Sequence, residues 1–230
     1  MPEFENHVVV ISGATGGAGQ PITARFLEEG ATVFAIGRSR NNKIAPARLV
    51  RVEADLFTRQ GARSVVETAI SRAGRIDVLV HLVGGFAGGQ SVAEAGAATW
   101  EHMMSINFHA ALFLFEAVIP EMMKRRHGRI IAMGSRAGVD PVATLGPYSV
   151  SKAALHALVR AAAVEVKNSG ITSNAVLPGV IDTAANRKAN PAADYTAWVK
   201  PESIAELILW LASDRAGDVN GALIPIYGRS

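Results

Sequence analysis

Tyr148 and Lys152 stand four residues apart in Tyr148-Ser149-Val150-Ser151-Lys152. In a helix that spacing places both side chains on one face, one turn apart. Pro147 suits the first turn of such a helix and puts Tyr148 at its ligand-facing end. A phenol titrates near ~10 and is a poor base at neutral pH, but a neighbouring ammonium favours phenolate. The pair therefore has the chemistry to accept or donate a proton. The same spacing also occurs in surface pairs, so its meaning depends on what surrounds it.

A second group of residues lies near the N-terminus, in Ser12-Gly13-Ala14-Thr15-Gly16-Gly17-Ala18-Gly19 after the apolar run Val8-Val9-Val10-Ile11. Glycines between a buried strand and a helix let the backbone turn sharply and approach a pyrophosphate, whose charge the helix N-terminus favours. G-x-G-x-x-G is absent at every offset. Gly13, Gly17 and Gly19 give G-x-x-x-G-x-G, and Gly16 also satisfies G-x-x-G-x-x-G, so two spacings remain open. After the second apolar run, where an acid often holds the adenosine ribose, stand Gly37 and Arg38, with Arg40 nearby. A guanidinium there can pair with a 2′-phosphate, which favours NADP over NAD.

Positioning these groups requires a parallel sheet. Strands are expected at His7–Ser12, Thr32–Ile36, Leu49–Val52, Val78–Val83, Arg129–Met133, Ile171–Leu177 and Ala222–Ile226. Helices are expected at Gln20–Glu29, Thr58–Ala73, Thr99–Arg126, Tyr148–Asn168 and Pro201–Ser213. This alternation describes an α/β fold: a Rossmann-type doubly wound parallel sheet of about seven strands, in three α/β/α layers and one domain over residues 1–230. Only Gly37–Arg48 joins the second and third strands, so that connection is expected to be an irregular loop or a single turn.

The net charge of +3 is too small to argue for nucleic acid. The densest basic stretch, Lys124-Arg125-Arg126-His127-Gly128-Arg129, reads as a helix end with Gly128 in the left-handed position. The absence of cysteine removes disulfides, thiol nucleophiles and thiolate metal sites, and is compatible with a cytoplasmic location. Met1–Asn6 carries Glu3 and Glu5 and lacks the cationic start of a signal peptide, and Ala110–Ile119 is too short to span a bilayer. We expect a soluble protein with no membrane or nucleic-acid partner. No cluster has metal-ligand spacing; His102 and His109 are seven residues apart without a supporting ligand.

Over essentially its whole length the chain resembles the short-chain dehydrogenase/reductase family. Ser12-Gly13-x-x-x-Gly17-x-Gly19 matches that family's cofactor loop, with Ser12 in place of the usual threonine. Asp55-Leu56 is similar to its adenine contact, Asn107 to its helix asparagine, and Ser135 to its catalytic serine thirteen residues before Tyr148. Tyr148 and Lys152 match Y-x-x-x-K; Pro178-Gly179, followed by Ile181 and Thr183, matches the segment at the nicotinamide end. The family's N-N-A-G appears as His81-Leu82-Val83-Gly84, which keeps Gly84 but replaces a supporting asparagine; His81 is expected to take over a hydrogen-bonded supporting role. Gly84–Gly89 and Ile181–Trp198 are also similar to segments of dihydropteridine reductases, but Ser135 and Gly37-Arg38 depart from that subgroup.

The resemblance implies hydride transfer between NADP(H) and a small carbonyl or alcohol. Tyr148 would exchange the proton, Ser135 would hold the reacting oxygen, Lys152 would hold the nicotinamide ribose, and Asn107 would position Lys152 through a water. Phe86, Val142, Leu145, Tyr195 and Trp198 are candidates for an apolar wall over the substrate. The resemblance also implies a homo-oligomer, a tetramer or dimer built through the long helices, with Ala153, Ala154, Ala157, Ala161 and Ala162 permitting close packing. The alternatives are dihydropteridine reductase and, from another class, a dinucleotide-binding regulatory protein without turnover. A sugar-nucleotide epimerase or dehydratase needs a larger C-terminal substrate region than the 78 residues after Lys152.

Overall fold

The computed structural model describes residues 2–37 and 46–229. Seven strands form one parallel sheet: β1 (Val8–Ser12), β2 (Thr32–Ile36), β3 (Leu49–Val52), β4 (Val78–His81), β5 (Gly128–Met133), β6 (Ile171–Pro178) and β7 (Leu223–Ile226). Their order is β3-β2-β1-β4-β5-β6-β7, so the winding reverses between β1 and β4. In open parallel sheets, ligands bind at the carboxyl ends of the strands flanking such a reversal. The Rossmann-type sheet expected from the sequence is therefore present.

Both faces are covered, because alternate strand residues are apolar on both sides. Val8, Val10, Phe34 and Leu79 pack against α2 (Arg59–Ala73), α4 (Ala110–Arg125) and α5 (Gly146–Val166). Val9, Ile11, Val33 and Val80 pack on the other face against α1 (Gly19–Glu28) and α7 (Pro201–Ala212). Thr58 caps α2, its hydroxyl accepting from the Gly61 amide at 3.0 Å.

Three differences from the sequence reading have physical causes. Thr99–Arg126 is not one regular helix: α3 (Ala97–Met104) and α4 are joined by a π-helical turn, Ser105–His109, that carries the buried Asn107. The continuous Ala97–Arg125 stretch is long and apolar enough to cross a membrane, unlike its Ala110–Ile119 part; yet Met103, Leu114, Val118 and Met122 sit in the core. The basic stretch does end α4, but the left-handed residue is Arg126 (φ 54°), not Gly128. Gly128 instead opens β5, where a Cβ would lie 2.4 Å from the Met122 sulfur. Finally, β4 stops at His81 rather than Val83; beyond it the Leu82 amide still reaches the Ser12 carbonyl, while the Ser12 hydroxyl accepts the Leu82 and Val83 amides in place of a continued ladder.

Ala184–Ala189 forms a short helix, α6, where no helix was expected. Residues 38–45, including Arg38, Arg40 and most of the β2–β3 connection, lie outside the described residues.

Candidate active site at the carboxyl edge of the sheet

The glycine loop leaves β1 at Ser12 and enters α1 at Gly19. Gly13 has φ +72°, a conformation glycine adopts without strain, and its amide and that of Ala14 both donate to the Ile36 carbonyl at the end of β2. The Gly16 amide then donates back to the Gly13 carbonyl at 3.0 Å. A Cβ on Gly19 would come within 2.1 Å of the Gly13 oxygen, and one on Gly17 within 2.7 Å of Thr183. At Gly16 the nearest atom would stand 3.3 Å away. Close packing thus selects the Gly13, Gly17, Gly19 spacing of the two that the sequence left open. This cradle, which side chains would fill, and the adjoining start of α1 fit a pyrophosphate. Thr15 packs on Gly37, where a Cβ would meet its hydroxyl oxygen at 2.7 Å. Ala18 occupies the N-cap position of α1.

Ser135 follows β5, and its hydroxyl accepts from the Ala137 amide at 3.2 Å, which fixes the turn. Its side chain also hydrogen-bonds Tyr148, which stands in the first turn of α5 beside Pro147. Lys152, only 4% exposed, reaches back under the sheet edge and donates to the Met133 carbonyl at 2.9 Å. Gly84 lies directly above: a Cβ there would be 2.7 Å from Asn107 Oδ1 and 3.2 Å from Lys152 Nζ. The structure therefore brings Ser135, Tyr148, Lys152, Asn107 and Gly84 together from four chain segments.

Asn107 grips its surroundings directly. Its Oδ1 accepts from the Gly85 amide (3.0 Å), and its Nδ2 donates to the Gly85 carbonyl (3.1 Å) and to Ser151 Oγ (3.0 Å). Ser151 in turn donates to the Tyr148 carbonyl at 2.7 Å. His81 is fully buried at the end of β4, its Nδ1 2.9 Å from Ser12 Oγ. This matches the supporting role expected of it.

Burial dominates the electrostatics. It lowers Lys152 from 10.5 to about 8. It lowers His81 from 6.5 to about 3, with the Lys152 ammonium acting in the same direction. Burial raises the Tyr148 phenol, and the Ser135 hydrogen bond offsets this in part. The Lys152 ammonium, expected from its spacing to favour the phenolate, is instead held at the Met133 carbonyl.

Leu56 is buried against the α2 face, whereas Asp55 is exposed and accepts the Phe57 amide at 3.0 Å. Val83 packs at the edge of the same core. Across the cleft, Pro178 ends β6 and the Gly179 amide donates to Ile226 O. Ile181 bridges Val199, and Thr183 caps α6 above Gly17, its hydroxyl accepting the Asn186 amide. The proposed apolar wall divides in two. Phe86, 67% exposed, packs edge-on to Tyr148 with centroids 5.1 Å apart, and Leu145 meets it over Gly88. Val142 is likewise exposed. Tyr195 and Trp198 instead brace the 182–198 segment: they pack at 4.8 Å, Trp198 is buried, and the Tyr195 hydroxyl donates to the Pro191 carbonyl. The Asp182–Arg187 pair, with Arg187 over the Tyr195 ring, completes that brace.

Sequence reasoning passed over Ser151 and His156. Both lie in the helix of Tyr148, and His156 is one turn beyond Lys152, a spacing that could have marked it.

The fold and the site geometry define a Rossmann-type oxidoreductase architecture. A model of the short chain dehydrogenase family matches residues 7–194, and the chain belongs to that family. It is 31% identical to a 3-oxoacyl-(acyl-carrier-protein) reductase of Thermotoga maritima over 98% of both chains. It is 30% identical to dehydrogenase/reductase SDR family member 4 of Mus musculus over 98% of this chain and 87% of that one. The crystal structure of a levodione reductase superposes with a TM-score of 0.90 at 24% identity, covering 98% of this chain and 97% of the other. The protein is thus an oxidoreductase of a family that uses nicotinamide dinucleotides and acts on small molecules.

Proposed function

We propose that this enzyme transfers a hydride between NADP(H) and a small carbonyl or alcohol, with Tyr148 exchanging the proton. The convergence of Ser135 on the Tyr148 hydroxyl, above a buried Lys152, carries this reading. A Rossmann cleft that only bound a dinucleotide would not require a proton donor beside a second hydroxyl.

When bound, the nicotinamide supplies or accepts the hydride. Gly13, Thr15, Gly16, Gly17, Ala18 and Gly19 would hold the pyrophosphate end, and Ser12 supports the loop through its bonds to the β4 exit. Asp55 and Leu56 would flank the adenine; Val83, Gly84, Pro178, Gly179, Ile181 and Thr183 would line the other end. In carbonyl reduction Tyr148 gives its phenolic proton to the oxygen as it gains negative charge, and Ser135 donates a hydrogen bond to that oxygen. Lys152 would hold the ribose, and the Ser135 hydrogen bond favours the phenolate that remains. Alcohol oxidation reverses these steps. Asn107 holds Gly85 and the Tyr148 turn in place through its bonds to Gly85 and Ser151. The preference for NADP rests on Gly37 and Arg38, which offer no acid to repel a 2′-phosphate.

The test is NADPH and NADH oxidation over a panel of ketones, quinones and quinonoid pterin, comparing wild type with Tyr148→Phe. Loss of turnover by about 10²–10⁴-fold, with cofactor binding retained, is expected. Cofactor binding without substrate-dependent turnover by the wild type would instead favour a regulatory protein. Arg38→Ala is expected to weaken NADPH more than NADH; an unchanged preference would overturn the cofactor assignment.

We further propose a homo-oligomer joined through α5. Ala153, Ala157 and Ala161 are exposed along that helix together with Val150 and Val164, whereas Ala162 is buried in the core and takes no part.

A further inference from the structure

The geometry points to His156 as the residue that positions Ser135 for this reaction, an assignment that rests on the reading of Ser135 and Tyr148 given above. His156 is buried in α5, one turn after Lys152. Its Nε2 accepts a hydrogen bond from the Ser135 backbone amide at 3.3 Å. An imidazole nitrogen accepts only when it carries no proton, so the ring is neutral with its hydrogen on Nδ1. Burial and the Lys152 ammonium, which together lower His156 to about 4, keep it in that form.

Two glycines make room for the ring. A Cβ on Gly134 would stand 2.5 Å from Nε2, and one on Gly138 would stand 2.6 Å from Cε1. The imidazole therefore fills a slot between the two glycines that bracket Ser135-Arg136-Ala137. Nδ1, which carries the hydrogen, faces the Gly138 backbone. The ring is thus held at Nε2 by the Ser135 amide and faces the Gly138 backbone with Nδ1, the two ends of the serine turn. Tyr148, Lys152 and His156 follow at four-residue spacing on one helix. The helix that carries the proton donor also sets where the serine turn sits, and this couples the two hydroxyls that must meet one substrate oxygen. An error in that placement of about 1 Å can cost 10²-fold in rate.

Three variants test the assignment, using the carbonyl substrate that the wild type reduces best. His156→Leu removes the acceptor, whereas His156→Gln keeps an oxygen at comparable reach. His156→Leu is expected to lower kcat about tenfold or more while cofactor Kd stays unchanged, with His156→Gln recovering most of the loss. Amide exchange at Ser135 should accelerate in His156→Leu and not in His156→Gln. In a Ser135→Ala background, His156→Leu should cost little further in kcat, because the group it positions is gone. If His156→Leu does not fold, His156→Asn, polar but too short to reach the amide, replaces it in the same comparisons. Equal kcat in the Leu (or Asn) and Gln variants, or a full second loss in the Ser135→Ala background, would overturn the assignment. Should Tyr148→Phe turn over like the wild type, the parent reading fails; an inactive Tyr148→Phe beside an unaffected His156→Leu sinks the positioning role alone.

Discussion

Asn107 Nδ2 donates to Ser151 Oγ at 3.0 Å, which ties the π-helical turn to the helix that carries Tyr148 and Lys152. Because Asn107 also bonds both backbone groups of Gly85, one side chain joins three segments of the site. Replacement by alanine removes the bonds to the part-buried Gly85 groups and to Ser151, at roughly 0.5–1.5 kcal/mol for each. Asn107→Ala should therefore lower both the melting temperature and kcat. A variant with wild-type kcat and an unchanged melting temperature would remove this role.

The glycines of the first loop should not be equivalent. A methyl group at Gly19 collides with the Gly13 carbonyl, whereas at Gly16 it meets only moderately close packing. Gly19→Ala is expected to raise cofactor Kd by at least tenfold or to prevent folding, and Gly16→Ala to have a much smaller effect on folding and loop structure. Thermal melts combined with fluorescence titration of NADPH decide the matter. Equal behaviour of the two variants would reopen the alternative spacing.

Lys152 should make stability rise with pH in a window where most proteins lose it. Its folded value, about 8, lies below its ordinary 10.5. Between the two, the unfolded chain holds a proton that the folded chain has released, so this residue's contribution increases from about pH 8 to 10.5. Below 8 the cost of burying the ammonium is fully present. Compared with Lys152→Met, the wild type should gain stability across that window; parallel melting profiles would contradict the burial argument.

His81 works at the other end of the scale. Burial holds it near 3 against an ordinary 6.5, so the unfolded chain binds the extra proton as pH falls through this window. Stability contributed by the neutral, buried ring is present above 6.5 and lost progressively below it. His81→Asn, which restores the more usual residue at this place, should lose less stability than the wild type between pH 7 and 4.5. Carboxylate titration is common to both proteins, so the difference between their denaturation curves isolates the histidine.

If α5 forms the proposed interface, a charge in the middle of its exposed small-residue stripe should break it. Ala157→Arg is then expected to reduce the mass measured by light scattering after size exclusion, without a large change in monomer secondary structure. A wild-type protein that already runs as a monomer would dismiss the interface.

The strands were legible because a sheet buried on both faces demands uninterrupted apolar runs: Thr32–Ile36 and Leu49–Val52 appear at the expected residues. The glycine loop and the Tyr148–Lys152 pair were legible too, because backbone sterics and helical spacing act over a few neighbouring residues. What the sequence by itself determined is therefore the fold class, the place of the glycine loop after β1 and the helix face shared by Tyr148 and Lys152. Only the tertiary structure decided which glycines are sterically required, since Gly19 is constrained by the Gly13 carbonyl and Gly17 by Thr183, 166 residues away in the chain. It also decided that Asn107 sits in a π-helical turn, that Lys152 binds the Met133 carbonyl, and that His156 meets the Ser135 amide. Those contacts arise where separate elements pack at the carboxyl edge of the sheet, and local spacing carries no information about atoms that approach from distant segments.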